Sequence, residues 1–118
     1  MDILLRSMLF GGKAVVTAID CTETTEKARK IHGLSKSATN ALARVLAMGV
    51  FMSAGFKGLK HKLTLIIDGD GAGGNIIVCG DCGSKVRCRM DNPDCFAGED
   101  IRPVREVIGG DGRLTVIK

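Results

Sequence analysis

Between Ala41 and Phe56 the chain carries one charge, Arg44, in a stretch that otherwise holds only apolar residues, glycine and serine. Crossing a bilayer takes about 20 apolar residues, so this run is too short to span one. A helix apolar on nearly every side must be buried in protein instead. The rest of the chain therefore has to supply its cover. Ala43, Ala47, Gly49 and Ser53 recur on one side of that helix, which lets another layer approach its backbone closely. The predicted partner is a sheet.

The flanking sequence supplies one. Ile3 to Phe10 and Ala14 to Ile19 are apolar and β-branched runs on either side of Gly11-Gly12, which spells a hairpin. Asp20 with Glu23 resembles a capping box, and Lys27, Arg29 and Lys30 precede Gly33, so a helix is predicted over 22–32. Ser35 or Ser37 can cap the apolar helix, which is predicted to run to about Lys57 and stop at Gly58. From Lys62 the period changes to two. Leu63, Leu65 and Ile67 alternate with Thr64, Ile66 and Asp68. A glycine-rich stretch over 69–74 then leads to a strand at Asn75 to Cys79, and a third strand is predicted over Lys85 to Met90. Asn92-Pro93 turns the chain out of the sheet, 94–110 reads as irregular or short helix, and Leu114 to Ile117 is a last strand with an open edge. The predicted class is α+β: a mainly antiparallel sheet built from hairpins, with two helices packed beside it, in a single domain over 1–118.

Composition narrows the function classes. An apolar fraction of 45% with 25% charged residues is that of a globular chain. Four Phe, no Trp and no Tyr leave few platforms on which bases could stack, which argues against nucleic acid as a partner. The net charge of +4 is scattered rather than gathered in a tail. An acid at Asp2 ahead of a very short apolar stretch reads against a secretory leader, so a cytoplasmic chain is predicted. Five cysteines, an odd number, then read as reduced thiols or metal ligands rather than a disulfide framework.

Four motifs are weighed. Cys79, Cys82, Cys88 and Cys95 form a C-x2-C-x5-C-x6-C series whose first pair has zinc-ligand spacing. The remaining spacing is poor, and a hairpin turning at Cys82-Gly83 puts Cys79 and Cys88 on one face with Ile77 and Val86, as small hydrophobes. A zinc or thiol-redox module is kept as an alternative reading. The glycines at 69–74 are followed by a strand rather than a helix N-terminus, so a mobile turn is preferred to a phosphate loop. Lys85, Arg87 and Arg89 alternate along one strand face, which keeps a basic RNA-binding strand as a further alternative beside a plain solvated face. No Cys–His pair or carboxylate pair spells an enzyme, and none is predicted; His32 and His61 read as surface residues.

Taken in order, several short segments resemble one family, the 33 kDa redox-regulated chaperonins, also called heat-shock protein 33. They are Met1-Asp2 with Gly12-Lys13, Arg29-Lys30-Ile31-His32-Gly33, Ala38-x-x-Ala41-Leu42-Ala43-Arg44, and Phe56-Lys57-Gly58. Lys62-Leu63-Thr64-Leu65, Val86-Arg87, Asn92-Pro93 and Gly112-x-Leu114-Thr115-Val116-Ile117-Lys118 continue the likeness to the end. The resemblance implies an N-terminal α+β domain followed by a C-terminal region in which a Cys-x-Cys and a Cys-x-x-Cys pair hold zinc. It implies a holdase, in which oxidation expels the zinc and uncovers apolar surface for unfolding clients without ATP, and whose activated members dimerise. Under that likeness the chain is the N-terminal portion only, the zinc cysteines lie beyond it, and no cofactor is expected in it. Cys79 and Cys82 fall on a hairpin turn rather than on the family's switch. The positive charge departs from the acidic character of the family.

The apolar excess then locates the expected contact surface at Phe51, Met52, Phe56, Leu65, Ile67 and Ile77, which would bury the side chains of unfolded or misfolded client proteins. Without a sensor region, capture is expected to be independent of peroxide.

Overall fold

The computed structural model describes residues 3–53, 62–81 and 86–117. Two strands, β1 (Ile3–Leu9) and β2 (Ala14–Asp20), open the chain and pair antiparallel, with Leu9 opposite Ala14 and Ile3 opposite Asp20. A single 3₁₀ turn at Phe10–Gly12 joins them, and Phe10 and Gly11 both take left-handed backbone, at φ of 54° and 65°. Glycine adopts that conformation without a Cβ clash; Phe10 has to be held there by its neighbours.

Helix α1 (Thr22–His32) begins where the Asp20 carboxylate accepts from both the amide and the hydroxyl of Thr22. It ends at Gly33, left-handed at φ 64°, whose N–H reaches the Arg29 carbonyl, so the glycine stop and the basic last turn do what the sequence predicted of them. Helix α2 (Lys36–Ser53) follows at once. Ser35 is its cap, with the hydroxyl oxygen accepting from the Ala38 amide at 3.2 Å. The predicted extension of α2 to Lys57 lies outside the described residues.

The remaining strands form one four-stranded antiparallel sheet in the order β5-β4-β3-β6, from β3 (Lys62–Gly69), β4 (Ile76–Asp81), β5 (Val86–Met90) and β6 (Gly112–Ile117). A short helix, α3 (Val104–Ile108), precedes β6. The class is α+β, as predicted, but the strands divide into a separate two-stranded sheet and a four-stranded one. Period-two alternation decides the packing. Leu63 and Leu65 on β3, Ile76 and Val78 on β4, and Leu42, Leu46 and Val107 from the helices are fully enclosed. Gly49 marks the closest approach: a Cβ there would stand 2.7 Å from the Val78 Cγ1, so α2 lies on the sheet nearly backbone to side chain.

The glycine-rich turn differs from its sequence reading. It is sewn down rather than mobile: the amides of Asp70, Gly71, Ala72 and Gly73 donate in turn to the carbonyls of Asp111, Ile108, Glu106 and Val107. Side chains are excluded because the turn lies against backbone and against Met90 and Val107, so glycine is required for contact and not for looseness. The irregular segment after β5 is anchored too. The Ser35 amide donates to the Pro93 carbonyl at 2.8 Å, the Ser35 hydroxyl donates to the Cys95 carbonyl, and the Arg102 amide donates to the Ser37 hydroxyl oxygen at 2.9 Å. Both serines that could cap α2 are thus used, one as cap and one as clasp.

Candidate functional site

Placed on this fold, the six expected contact residues do not converge. Leu65 has no exposed surface and sits in the core between α2 and the sheet, so it cannot touch a partner while the sheet is packed. This corrects its assignment to the surface: Leu63 and Leu65 share the strand face that α2 covers. Met52 and Ile67 are half-buried and pack against the same core. Ile77 is half-buried on the opposite face of the sheet, opposite Ile66. Phe51 is 49% exposed on α2, near Met48, which is also exposed. Phe56 lies outside the described residues.

A larger uncovered apolar surface is on the hairpin of β1 and β2. On one face Ile3, Leu5 and Leu9 of β1 alternate, with Val16 of β2 among them, and all four are exposed. On the other face Met8 stands opposite Val15, both exposed, while Leu4 and Ile19 nearer the base are half-buried. Phe10 at the tip is 78% exposed and Leu5 64%. The main contact of the hairpin beyond itself is between β2 and α2. Sequence reasoning found the hairpin and missed its exposed apolar face. The available signal was that β1 is apolar at successive positions, Ile3-Leu4-Leu5 and Met8-Leu9-Phe10, which demands cover on both faces of a strand that has no second layer. β6 adds Leu114, Val116 and Ile117, all exposed at an edge of the larger sheet. Scattered exposed apolar residues are ordinary, whereas a contiguous apolar ribbon is the kind of patch that marks a candidate interaction site.

The cysteines do not assemble. The sequence put Cys79 and Cys88 on one face, yet the register pairs Cys79 with Arg87 and Cys88 with Val78, so the two thiols project to opposite sides of the sheet. The connection between the strands differs by one residue from the assumed turn, and a one-residue slip exchanges every face. Cys79 is exposed, 3.8 Å from the Thr64 hydroxyl; Cys88 is half-buried towards α2; Cys95 is buried; Cys82 lies outside the described residues. Burial pushes the Cys88 thiol up from its ordinary pKa and does the same, as the largest influence, to Cys95. A thiol raised in this way carries less thiolate, which is the reactive and metal-binding form. Among the described residues no cluster of three His, Cys, Asp or Glu could hold a metal ion, and no helix is long and apolar enough to cross a membrane.

Comparison with known proteins identifies the setting of this apolar surface. A family model described as Hsp33 protein matches residues 2–118. A 33 kDa chaperonin of Thermoanaerobacter sp. (strain X514) is 33% identical over 99% of this chain and 41% of its own length. The 33 kDa chaperonin of Bacillus mycoides (strain KBAB4) is 33% identical and that of Staphylococcus epidermidis (strain ATCC 12228) 32% identical, with the same coverage. The chain therefore spans about two-fifths of the curated relatives it matches. With the match extending from end to end and the α+β architecture in place, this chain belongs to the Hsp33 protein family.

Proposed function

We propose that this chain is the client-binding part of a cytoplasmic, ATP-independent holdase that keeps unfolding proteins from aggregating during oxidative stress. Residues 1–118 act in this reading as one binding unit, with no chemistry of their own. The observation that carries it is the apolar ribbon of Ile3, Leu5, Leu9, Val16 and Phe10, exposed without a covering layer. Covering apolar surface yields about 25 cal/mol per Å², or roughly 1.5–3 kcal/mol for a side chain the size of Leu5. A handful of such contacts, less the cost of ordering a flexible client, reaches about the 8 kcal/mol of micromolar binding. Such contacts have no direction, which suits partners that share only their exposed core residues. Phe51, exposed on α2, is a contact apart from the ribbon, and two copies meeting on the ribbon form the homodimer that the resemblance implies.

Redox control enters this reading through the family and not through Cys88 and Cys95, which burial holds back. The experiment is light scattering of a chemically denatured client diluted with and without the chain, each with and without prior peroxide. Suppression at near-stoichiometric chain, equal under both conditions and without ATP, is the expected result. No suppression overturns the holdase; suppression only after peroxide overturns the thiol argument.

A further inference from the structure

The four-stranded sheet has a second face, opposite α2, on which no described element packs. Strand parity and register place Arg87 and Arg89 of β5 beside Cys79 and Ile77 of β4, then Thr64 and Ile66 of β3, then Ile117 and Thr115 of β6. Ile66 and Ile77 are half-buried against their neighbours, and Ile117 is 53% exposed. The centre of this face is therefore aliphatic. Its charges are uneven. Asp81 stands opposite Lys62 and Asp68 opposite Arg113, so each carboxylate on the face has a cation across the ladder. Arg87 and Arg89 face Cys79 and Ile77 instead, are exposed, and make no ion pair among the described residues.

We infer that this face selects acidic clients: it takes unfolded segments in which aspartate or glutamate accompanies aliphatic residues, the carboxylates meeting Arg87 and Arg89 while the aliphatic groups cover Ile66 and Ile77. The inference rests on the holdase reading and adds to it a class of client. Side chains two apart on one strand face are about 7 Å from each other, which is also the spacing of alternate residues in an extended peptide, so two carboxylates of one segment can reach both guanidinium groups. Guanidinium binds carboxylate through paired N–H donors, which is stronger than a bare point charge. A phosphate polymer would satisfy the same cations, but among the described residues the face has no aromatic ring for bases to stack on, and its aliphatic centre would stay uncovered. The net charge of +4 draws the same kind of partner at long range.

The test uses reduced, carboxymethylated α-lactalbumin, an acidic polypeptide that stays unfolded, and the same polypeptide with its carboxyls converted to amides. Binding of both to the full chain is measured at low and at high salt. The acidic form is expected to bind more tightly, and the R87Q/R89Q variant to lose about three- to tenfold of that affinity, the range of two exposed charge pairs, with no change towards the amide form. The R87K/R89K variant is expected to recover most of the loss, which separates charge from an altered fold. Equal binding of both forms, unchanged in R87Q/R89Q, overturns the client preference and leaves the holdase standing. Binding of neither form overturns the holdase itself. Tighter binding of single-stranded polyuridylate than of the acidic polypeptide, lost in R87Q/R89Q, overturns the inference in favour of nucleic acid.

Discussion

Neighbouring residues on β3 carry different duties, because a strand offers its side chains to opposite faces in turn. Leu65 is enclosed beneath α2. Leu65→Ala leaves a cavity in the core beside Val78, its partner across the ladder, and is expected to cost about 2–5 kcal/mol, read as a lowered urea midpoint with unchanged slope. Cys88 gives a second test. Its folded pKa lies above the unfolded one because burial penalises the thiolate. Below the unfolded value both states keep the proton and stability is unaffected. As pH rises past that value the unfolded chain releases its proton first, so stability falls through the alkaline range. Cys88→Ala is expected to flatten that fall in urea titrations run at successive pH values; an unaltered profile would contradict the burial of this thiol.

Elements were legible where a local stop signal fixed them. Gly33 and the basic residues before it set the end of α1, and Ser35 set the start of α2, because caps act over three or four residues that can be read together. What escaped were pairings between distant segments. The β4–β5 register hung on a single residue of loop length, and the seam between 70–73 and α3 joins stretches more than thirty residues apart, invisible to any local pattern. The apolar surface was legible as an excess and not as a place: alternation assigned Leu65 to a strand face without saying which face α2 would cover. Isolated two-stranded hairpins are marginal in water, so β1 and β2 should open more readily than the sheet. In hydrogen exchange, the amides of β1 and β2 are expected to exchange well ahead of those in β3 and β4. Equal protection would mean that the hairpin is covered.

Across the whole molecule, the same separation shows in its dimensions. A radius of gyration of 14.9 Å exceeds the roughly 13.5 Å expected of a compact chain this long, and the longest extent is 46 Å against 31 and 30 Å for the others. Such a shape has more surface than its core can draw inward, and in a sequence that is 45% apolar part of that surface is greasy. Family membership, the exposed ribbon and the elongated outline are the observations on which the proposed client-binding reading rests. The most direct measurement compares the native chain with the L5S/V16S/F10S variant in suppressing light scattering by a denatured client, with circular dichroism verifying that both are folded. The hairpin face is expected to supply most of the capture, so the variant should suppress aggregation several-fold less at equal concentration while keeping its fold. Undiminished suppression by a folded variant would contradict the assignment of client binding to the hairpin.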